Sequence, residues 1–295
     1  GSRLYVVNVG SSDISVFDVT SSGLRLVERE PSGGTQPFSL TLRGGLLYVL
    51  NRGSEPAAAP ANITAFTVSP TGMLTPLAGS TRPLSTPYPD PAQVSYTPNG
   101  LSLVVTEKAT DKIDTYALGN DGRAISATPA VYASNGVTPF GFDFTTTGTL
   151  VVSEAFGGVV GEAATSSYSL AGGFSVISGS VQDTQSEVCW TAITHDDRFA
   201  YVTNFLTGTI SSYTVNANGS ITLLKAVAGR TAFGFGPRDE EFTADGRYLY
   251  VIDIGLTDEA TRGVHGFRVE SDGSLTALGV ARISGYPAVA GLDAR

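Results

Sequence analysis

One apolar pentapeptide recurs along this chain, and its spacing constrains the fold more than any other feature. Leu4-Tyr5-Val6-Val7-Asn8 returns in degenerate form as Leu47-Tyr48-Val49-Leu50-Asn51, Leu103-Val104-Val105-Thr106-Glu107, Leu150-Val151-Val152-Ser153-Glu154, Ala200-Tyr201-Val202-Thr203-Asn204 and Leu249-Tyr250-Val251-Ile252-Asp253. The last residues of these copies are 43, 56, 47, 50 and 49 positions apart. A period of this length holds four short strands per unit, which is the signature of propeller blades. The sequence therefore predicts an all-β fold: a six-bladed β-propeller of four-stranded antiparallel blades, 24 strands in all, forming a single domain over residues 1–295.

The units keep register. After each pentapeptide a second strand carries an aromatic residue at a fixed place, Phe17, Phe66, Tyr116, Tyr168, Tyr213 or Phe267, which is expected to be core. A glycine follows at Gly23, Gly72, Gly122, Gly172, Gly219 or Gly273, where a tight hairpin needs positive φ. A third strand comes next, as at 24–28 or 221–226. A fourth, as at 38–42, 140–144 or 188–193, leads into the next pentapeptide and would be the innermost strand of the following blade. The chain thus starts one strand out of phase, and residues 288–293 are expected to pair with the first pentapeptide in a three-plus-one closure that removes exposed sheet edges.

Composition excludes several functions. The chain holds 41% hydrophobic and 15% charged residues, enough to bury a substantial core, and its 35 Gly and 15 Pro fall mostly at turns between apolar runs. A net charge of -9 offers no basic stripe to displace counterions from phosphates, so nucleic acid is not an expected partner. No apolar stretch approaches the ~20 residues that a membrane-spanning helix needs. The single cysteine, Cys189, excludes an intramolecular disulfide and reads as a buried, inert thiol.

Connections leaving the pentapeptides and those entering the innermost strands lie on one face. The first class is tight in the odd repeats but long in the even ones, at 52–62, 155–164 and 254–263, and insertions confined to one face of a rigid scaffold shape a binding mouth. The pentapeptide ends form a ring there: Asn8, Asn51, Glu107, Glu154, Asn204 and Asp253. An asparagine in this place caps the following turn. Glu107 and Glu154 are poorer caps in neighbouring units, and paired carboxylates serve as general acid and base, hold a cation or simply form a solvated rim. Gly236-Pro237-Arg238-Asp239-Glu240-Glu241 adds one guanidinium and three carboxylates at an inner-strand entry. Gln93 and Trp190 occupy comparable places, so Gln93, Trp190, Asn204 and Glu240 are candidate ligand contacts. His195, in a turn at the opposite end, and His265, in a strand third from the axis, lie outside this cluster.

Tyr201-Val202-Thr203-Asn204, Leu4-Tyr5-Val6-Val7-Asn8 and the run from Gly236-Pro237-Arg238 to Val251 resemble the lactonase-type β-propeller family over the whole chain. That family includes propeller-type 6-phosphogluconolactonases, carboxymuconate-lactonizing enzymes and extracytoplasmic proteins with the tyrosine-valine-threonine-asparagine repeat. Val104-Val105-Thr106-Glu107-Lys108, Pro139-Phe140-Gly141-Phe142-Asp143-Phe144 and Val151-Val152-Ser153-Glu154-Ala155-Phe156-Gly157-Gly158 are similar to its carboxymuconate-cyclase-like branch. Pro237-Arg238-Asp239 and Pro91-Ala92-Gln93 depart from the family's Pro-Arg-His pattern, so histidine chemistry is not carried over. The family is usually seven-bladed, and a seven-bladed propeller lacking its first blade is the alternative fold. The resemblance implies a lactone hydrolase or lactonizing isomerase for a small lactone or carboxylate, acting as an extracytoplasmic or secreted monomer without a cofactor. In it Arg238 would bind the substrate carboxylate, Asp239 would orient that arginine, and Glu107 or Glu154 would be acid or base. A non-enzymatic binding or scaffold propeller is the competing reading. A third variant places a hard cation such as calcium among the mouth oxygens.

Overall fold

The computed structural model describes residues 3–256, 259–284 and 291–294, and its described elements are almost all strands. The chain forms two compact units, Gly1–Ser134 and Asn135–Arg295, each carrying three of the six antiparallel sheets that are the blades of the propeller.

In the first unit the first sheet holds β1 (Arg3–Asn8), β2 (Asp13–Thr20) and β3 (Gly23–Pro31). The second holds β4 (Pro37–Arg43), β5 (Leu46–Asn51), β6 (Asn62–Val68), β7 (Leu74–Pro76) and the two-residue β8 (Arg82–Pro83), which pairs with β6. The third holds β9 (Pro91–Tyr96), β10 (Ser102–Glu107), β11 (Lys112–Ala117) and β12 (Ala130–Ala133). The second unit continues with β13 (Pro139–Phe144), β14 (Thr149–Glu154), β15 (Ala164–Ser169) and β16 (Ser175–Gln182), then β17 (Val188–Ile193), β18 (Phe199–Asn204), β19 (Thr209–Val215) and β20 (Ile221–Arg230), then β21 (Pro237–Phe242), β22 (Tyr248–Asp253), β23 (Gly263–Val269) and β24 (Leu275–Arg282). The described strands number 24, as expected, but the first sheet has three and the second five, because the outer edge of the second is split. Of the closing segment 288–293, residues 288–290 lie outside the described residues, and Gly291, Leu292 and Asp293 carry no strand.

The pentapeptides are β1, β5, β10, β14, β18 and β22; β1 is the first described strand of its sheet, and each of the others is second, next to the inner strand. The predicted aromatics sit directly across from their first residues: Leu4 faces Phe17, Leu47 faces Phe66, Leu103 faces Tyr116, Leu150 faces Tyr168, Ala200 faces Tyr213 and Leu249 faces Phe267. All but the half-buried Phe17 are buried. These strands pack against neighbouring blades on both faces, which is why they read as continuous apolar runs instead of alternating ones. Ala192, Phe199, Tyr201 and Ile210 meet Phe242, Leu249, Val251 and Phe267 in one such layer, while Ile14 and Val16 meet Leu47, Val49 and Phe66 in another. Outer strands such as β20 and β24 keep most of their residues at the surface. The six hairpin glycines all have positive φ, between 71° and 119°.

Two features position the mouth. Each inner strand opens with a β-bulge one residue in, between Pro37 and Ser39, Pro91 and Val94, Pro139 and Phe142, Val188 and Thr191, and Pro237 and Glu240. A bulge re-aims the residues it contains, so Phe38, Gln93, Phe140, Trp190, Arg238 and Asp239 leave the regular in-and-out alternation. The long insertions follow β5, β14 and β22 at the same blade ends, since Asn51, Glu154 and Asp253 pair with Pro37, Pro139 and Pro237. Short 3-10 turns at Phe156–Gly158 and Glu259–Thr261 shape two of them.

Candidate functional site

The last residue of each pentapeptide turns inward to the following strand and loop. Asn8 donates to Asp13 at 2.5 Å and Ser15 at 2.8 Å, and the fully buried Asn204 donates to Thr209 at 3.3 Å and Ser211 at 2.8 Å. Glu154 is fully buried and accepts the Gly136 N–H at 2.8 Å, the Tyr168 hydroxyl at 3.0 Å and the Ser180 hydroxyl at 2.7 Å. Glu107, equally buried, accepts both the N–H and the hydroxyl of Ser85 and, at 2.6 Å, the Thr110 hydroxyl. It also lies against the buried Asp114, whose carboxyl is pushed up to about 8 by burial and then by the Glu107 charge. These clamps dictate the glycines that precede the inner strands: a Cβ on Gly136 would lie 2.3 Å from Glu154 Oε2, and one on Gly236 would lie 2.3 Å from Asp253 Oδ1.

Glu107 and Glu154 are therefore not open acid and base groups at a mouth, as their glutamate identity led one to expect. Their oxygens are committed to loop backbone and hydroxyls. Asn204, expected as a ligand contact, is likewise sealed in the blade.

The groups that do reach the mouth of the second unit come from the bulges. Arg238 is partly exposed, its guanidinium carbon 5.5 Å from the centre of the Phe205 ring, and it makes no ion pair among the described residues. Its carbonyl accepts the Thr203 hydroxyl at 2.5 Å, and the Thr203 Oγ1 in turn accepts the Trp190 backbone N–H at 3.1 Å, so Trp190 and Arg238 start neighbouring strands side by side. Trp190 packs edge-on against Phe140 with ring centres 4.9 Å apart, and Phe205 against Phe235 at 5.7 Å. Asp239 does not orient Arg238. Its two oxygens accept the Glu240 N–H at 3.0 Å and the Leu292 N–H at 2.8 Å.

Asp239 belongs to an acidic line along the inner strands. Burial pushes it up to about 7; burial and then the nearby Asp143 push Glu241 to about 7, and burial pushes Asp143 to about 6. Asp143 reaches across to β17, where it accepts the Ile193 N–H at 2.9 Å. Glu240 differs from the rest. It occupies the core-facing place that Val94, Phe142 and Thr191 fill in other blades, only 4% exposed and with neither oxygen hydrogen-bonded, and burial raises it well above the carboxylate range. It faces the blade interior instead of a ligand.

Sequence reading missed Asp143, Phe140, Phe205 and Phe235 as site groups. Aligning the inner strands by their bulges would have found Asp143, which holds the same register place as Glu241. Gln93 stands, partly exposed, at the β9 bulge of the first unit. The neighbouring groups in that unit are basic: Arg52 and Lys108 hold Asp90 at 2.7 and 3.0 Å, and both lie within 6 Å of the Phe38 ring centre (5.9 and 5.7 Å). His195 packs against Phe242, and His265 Nε2 is 2.7 Å from the Thr261 carbonyl. Cys189 is buried, and its thiol donates to the Glu187 carbonyl at 3.6 Å. Among the described residues no group of three or more His, Cys, Asp or Glu could hold a metal ion, so the calcium variant finds no ligand set there.

Residues 178–290 match the family described as Lactonase, 7-bladed beta-propeller, against six sheets here. No curated protein matches the chain. Among solved structures it is similar to the periplasmic gluconolactonase PpgL of Pseudomonas aeruginosa, with 17% identity, 96% of this chain and 83% of that one covered and a TM-score of 0.74. It is also similar to 6-phosphogluconolactonase candidates from Bacteroides fragilis (21% identity, 94% and 80% covered, TM-score 0.69) and Bacteroides uniformis (18%, 97% and 84%, 0.75). Residues 178–290 thus match the lactonase family model by sequence, and nearly the whole chain shares the fold of these solved structures.

Proposed function

We propose that this protein is a lactone hydrolase that takes a small carboxylated lactone at the mouth of its second unit. The observation that carries this reading is the occurrence of Arg238 and Asp239 as consecutive residues within one bulge. A guanidinium whose carbon lies 5.5 Å from a ring centre, in no ion pair among the described residues, keeps its N–H groups available for a bidentate carboxylate. Beside it, a carboxyl group that titrates near 7 suits a general base that activates water for attack on the ring carbonyl, and its protonated form can return the proton to the leaving alkoxide. Burial holds Asp239 in this range against the two backbone N–H groups that it accepts. Glu107 and Glu154 hold loops, and Trp190 lines the mouth.

The lactonizing isomerase reading uses the same groups in reverse, with the acid protonating the product. A periplasmic or secreted setting, as for the Pseudomonas relative, is part of the proposal. The test is hydrolysis of a panel of carboxylated and uncharged lactones, with and without chelator. Turnover of carboxylated members, lost in Arg238→Met and unchanged by chelator, is the expected result; a folded protein inert towards the whole panel would be a binding propeller instead.

A further inference from the structure

The rings around Arg238 narrow the substrate. Phe140, Trp190, Phe205 and Phe235 form two edge-on pairs joined through Thr203, with the guanidinium lying over Phe205 between them. All four rings retain exposed surface, Phe235 at 37%, and Phe233 on the same loop is 91% exposed. Such surface is costly to leave in water on a rigid scaffold unless a ligand covers it.

Charge sets a second limit. Arg238 brings one positive charge to a mouth that holds Asp239, Glu241 and Asp143 and, among the described residues, no second cation in an ion pair with them. One guanidinium balances a monoanionic carboxylate, whereas a phosphate dianion would bring excess charge of the same sign as its surroundings. The pairs also present ring faces and edges where a sugar body would need hydroxyl partners.

We infer that the mouth of the second unit recognises an aryl or acyl carboxylate, an apolar body bearing one carboxylate group, in preference to a phosphorylated or polyhydroxylated sugar acid. Arg238 holds the carboxylate, and Phe205 and Phe235 on one side and Trp190 with Phe140 on the other cover the body. This rests on reading Arg238 as the carboxylate anchor.

Trp190 is the chain's one tryptophan, so its fluorescence reports occupancy without turnover. Titration with 4-phenylbutyrate should quench it saturably, while gluconate and 6-phosphogluconate should not. Arg238→Met and Phe235→Ala should each weaken 4-phenylbutyrate binding by roughly tenfold, the cost of losing one charged or aromatic contact. Phe235 lies at the surface, and a melt matching the wild type would confirm that its variant is folded. Saturable binding of 6-phosphogluconate in preference to the aryl acid, or aryl binding indifferent to Phe235→Ala, would overturn the inference. Aryl binding by a protein that hydrolyses no lactone would uphold this site and sink the hydrolase reading; hydrolysis of lactones with no preference for an apolar body would do the reverse.

Discussion

Replacing Glu154 with glutamine separates a structural carboxylate from a catalytic one. In the wild type one buried carboxylate accepts three hydrogen bonds, from Gly136, Tyr168 and Ser180. Bonds to a charged acceptor contribute about 1.5–3 kcal/mol against 0.5–1.5 for neutral pairs, so neutralisation forfeits about 1 kcal/mol per bond. The neutral amide costs less to bury and the two hydroxyls can turn to accept from it, which returns part of that loss. A net destabilisation of about 1–3 kcal/mol follows, or a fall in Tm of roughly 3–10 °C for a body of this size. Differential scanning calorimetry measures the shift, and lactone hydrolysis per folded molecule should stay within a few fold. Glu154→Ala should cost more, about 3–5 kcal/mol, because it also leaves a cavity and an orphaned N–H. A Glu154→Gln variant that melts with the wild type but loses most activity would show that the carboxylate meets substrate after all.

Stability should depend on pH through the buried acids. Asp114, Asp143, Asp239 and Glu241 all bind protons more tightly folded than unfolded, so their stabilising effect is complete below about pH 4 and is lost as pH rises through about 6 to 8. Melts should therefore fall from pH 5 to pH 9, and Asp114→Asn should flatten the upper part of that fall. Tyr213→Ala should cost about 3–5 kcal/mol, read by urea denaturation, with 4-phenylbutyrate affinity of the folded protein unchanged, since Tyr213 is fully buried and its hydroxyl bonds to Val181. In Gly141→Ala the added methyl would meet Trp190 Cα at 2.6 Å, so both the melt and Trp190 fluorescence should change. A silent substitution there would contradict the close packing of β13 on β17.

The repeat made the blades legible because every layer of the signal agreed. Pentapeptide, facing aromatic and hairpin glycine recur in one register, and a one-residue slip would turn an apolar set to the wrong face. The site was less legible for a physical reason: a bulge breaks the alternation from which side-chain direction is read. Arg238 and Asp239 stand out in the sequence because their charge density is conspicuous, whereas Asp143 sits in an apolar context and Phe205 and Phe235 look like ordinary loop residues. Glu107 and Glu154 misled because identity and position in the repeat do not reveal how far a loop folds back. Ser85 and Ser180, which bind those carboxylates, lie 22 residues before Glu107 and 26 after Glu154.

Steady-state kinetics of the wild type and Asp239→Asn on a hydrolysable aryl-substituted carboxylactone test the central claim most directly. For the wild type kcat/KM should rise with pH and level off above about 7, where Asp239 loses its proton. Asp239→Asn should lower kcat by about 10²-fold or more, flatten that rise and leave 4-phenylbutyrate binding intact. Activity that survives in Asp239→Asn with an unchanged pH profile would contradict the assignment of the base, and with it the role given to this mouth.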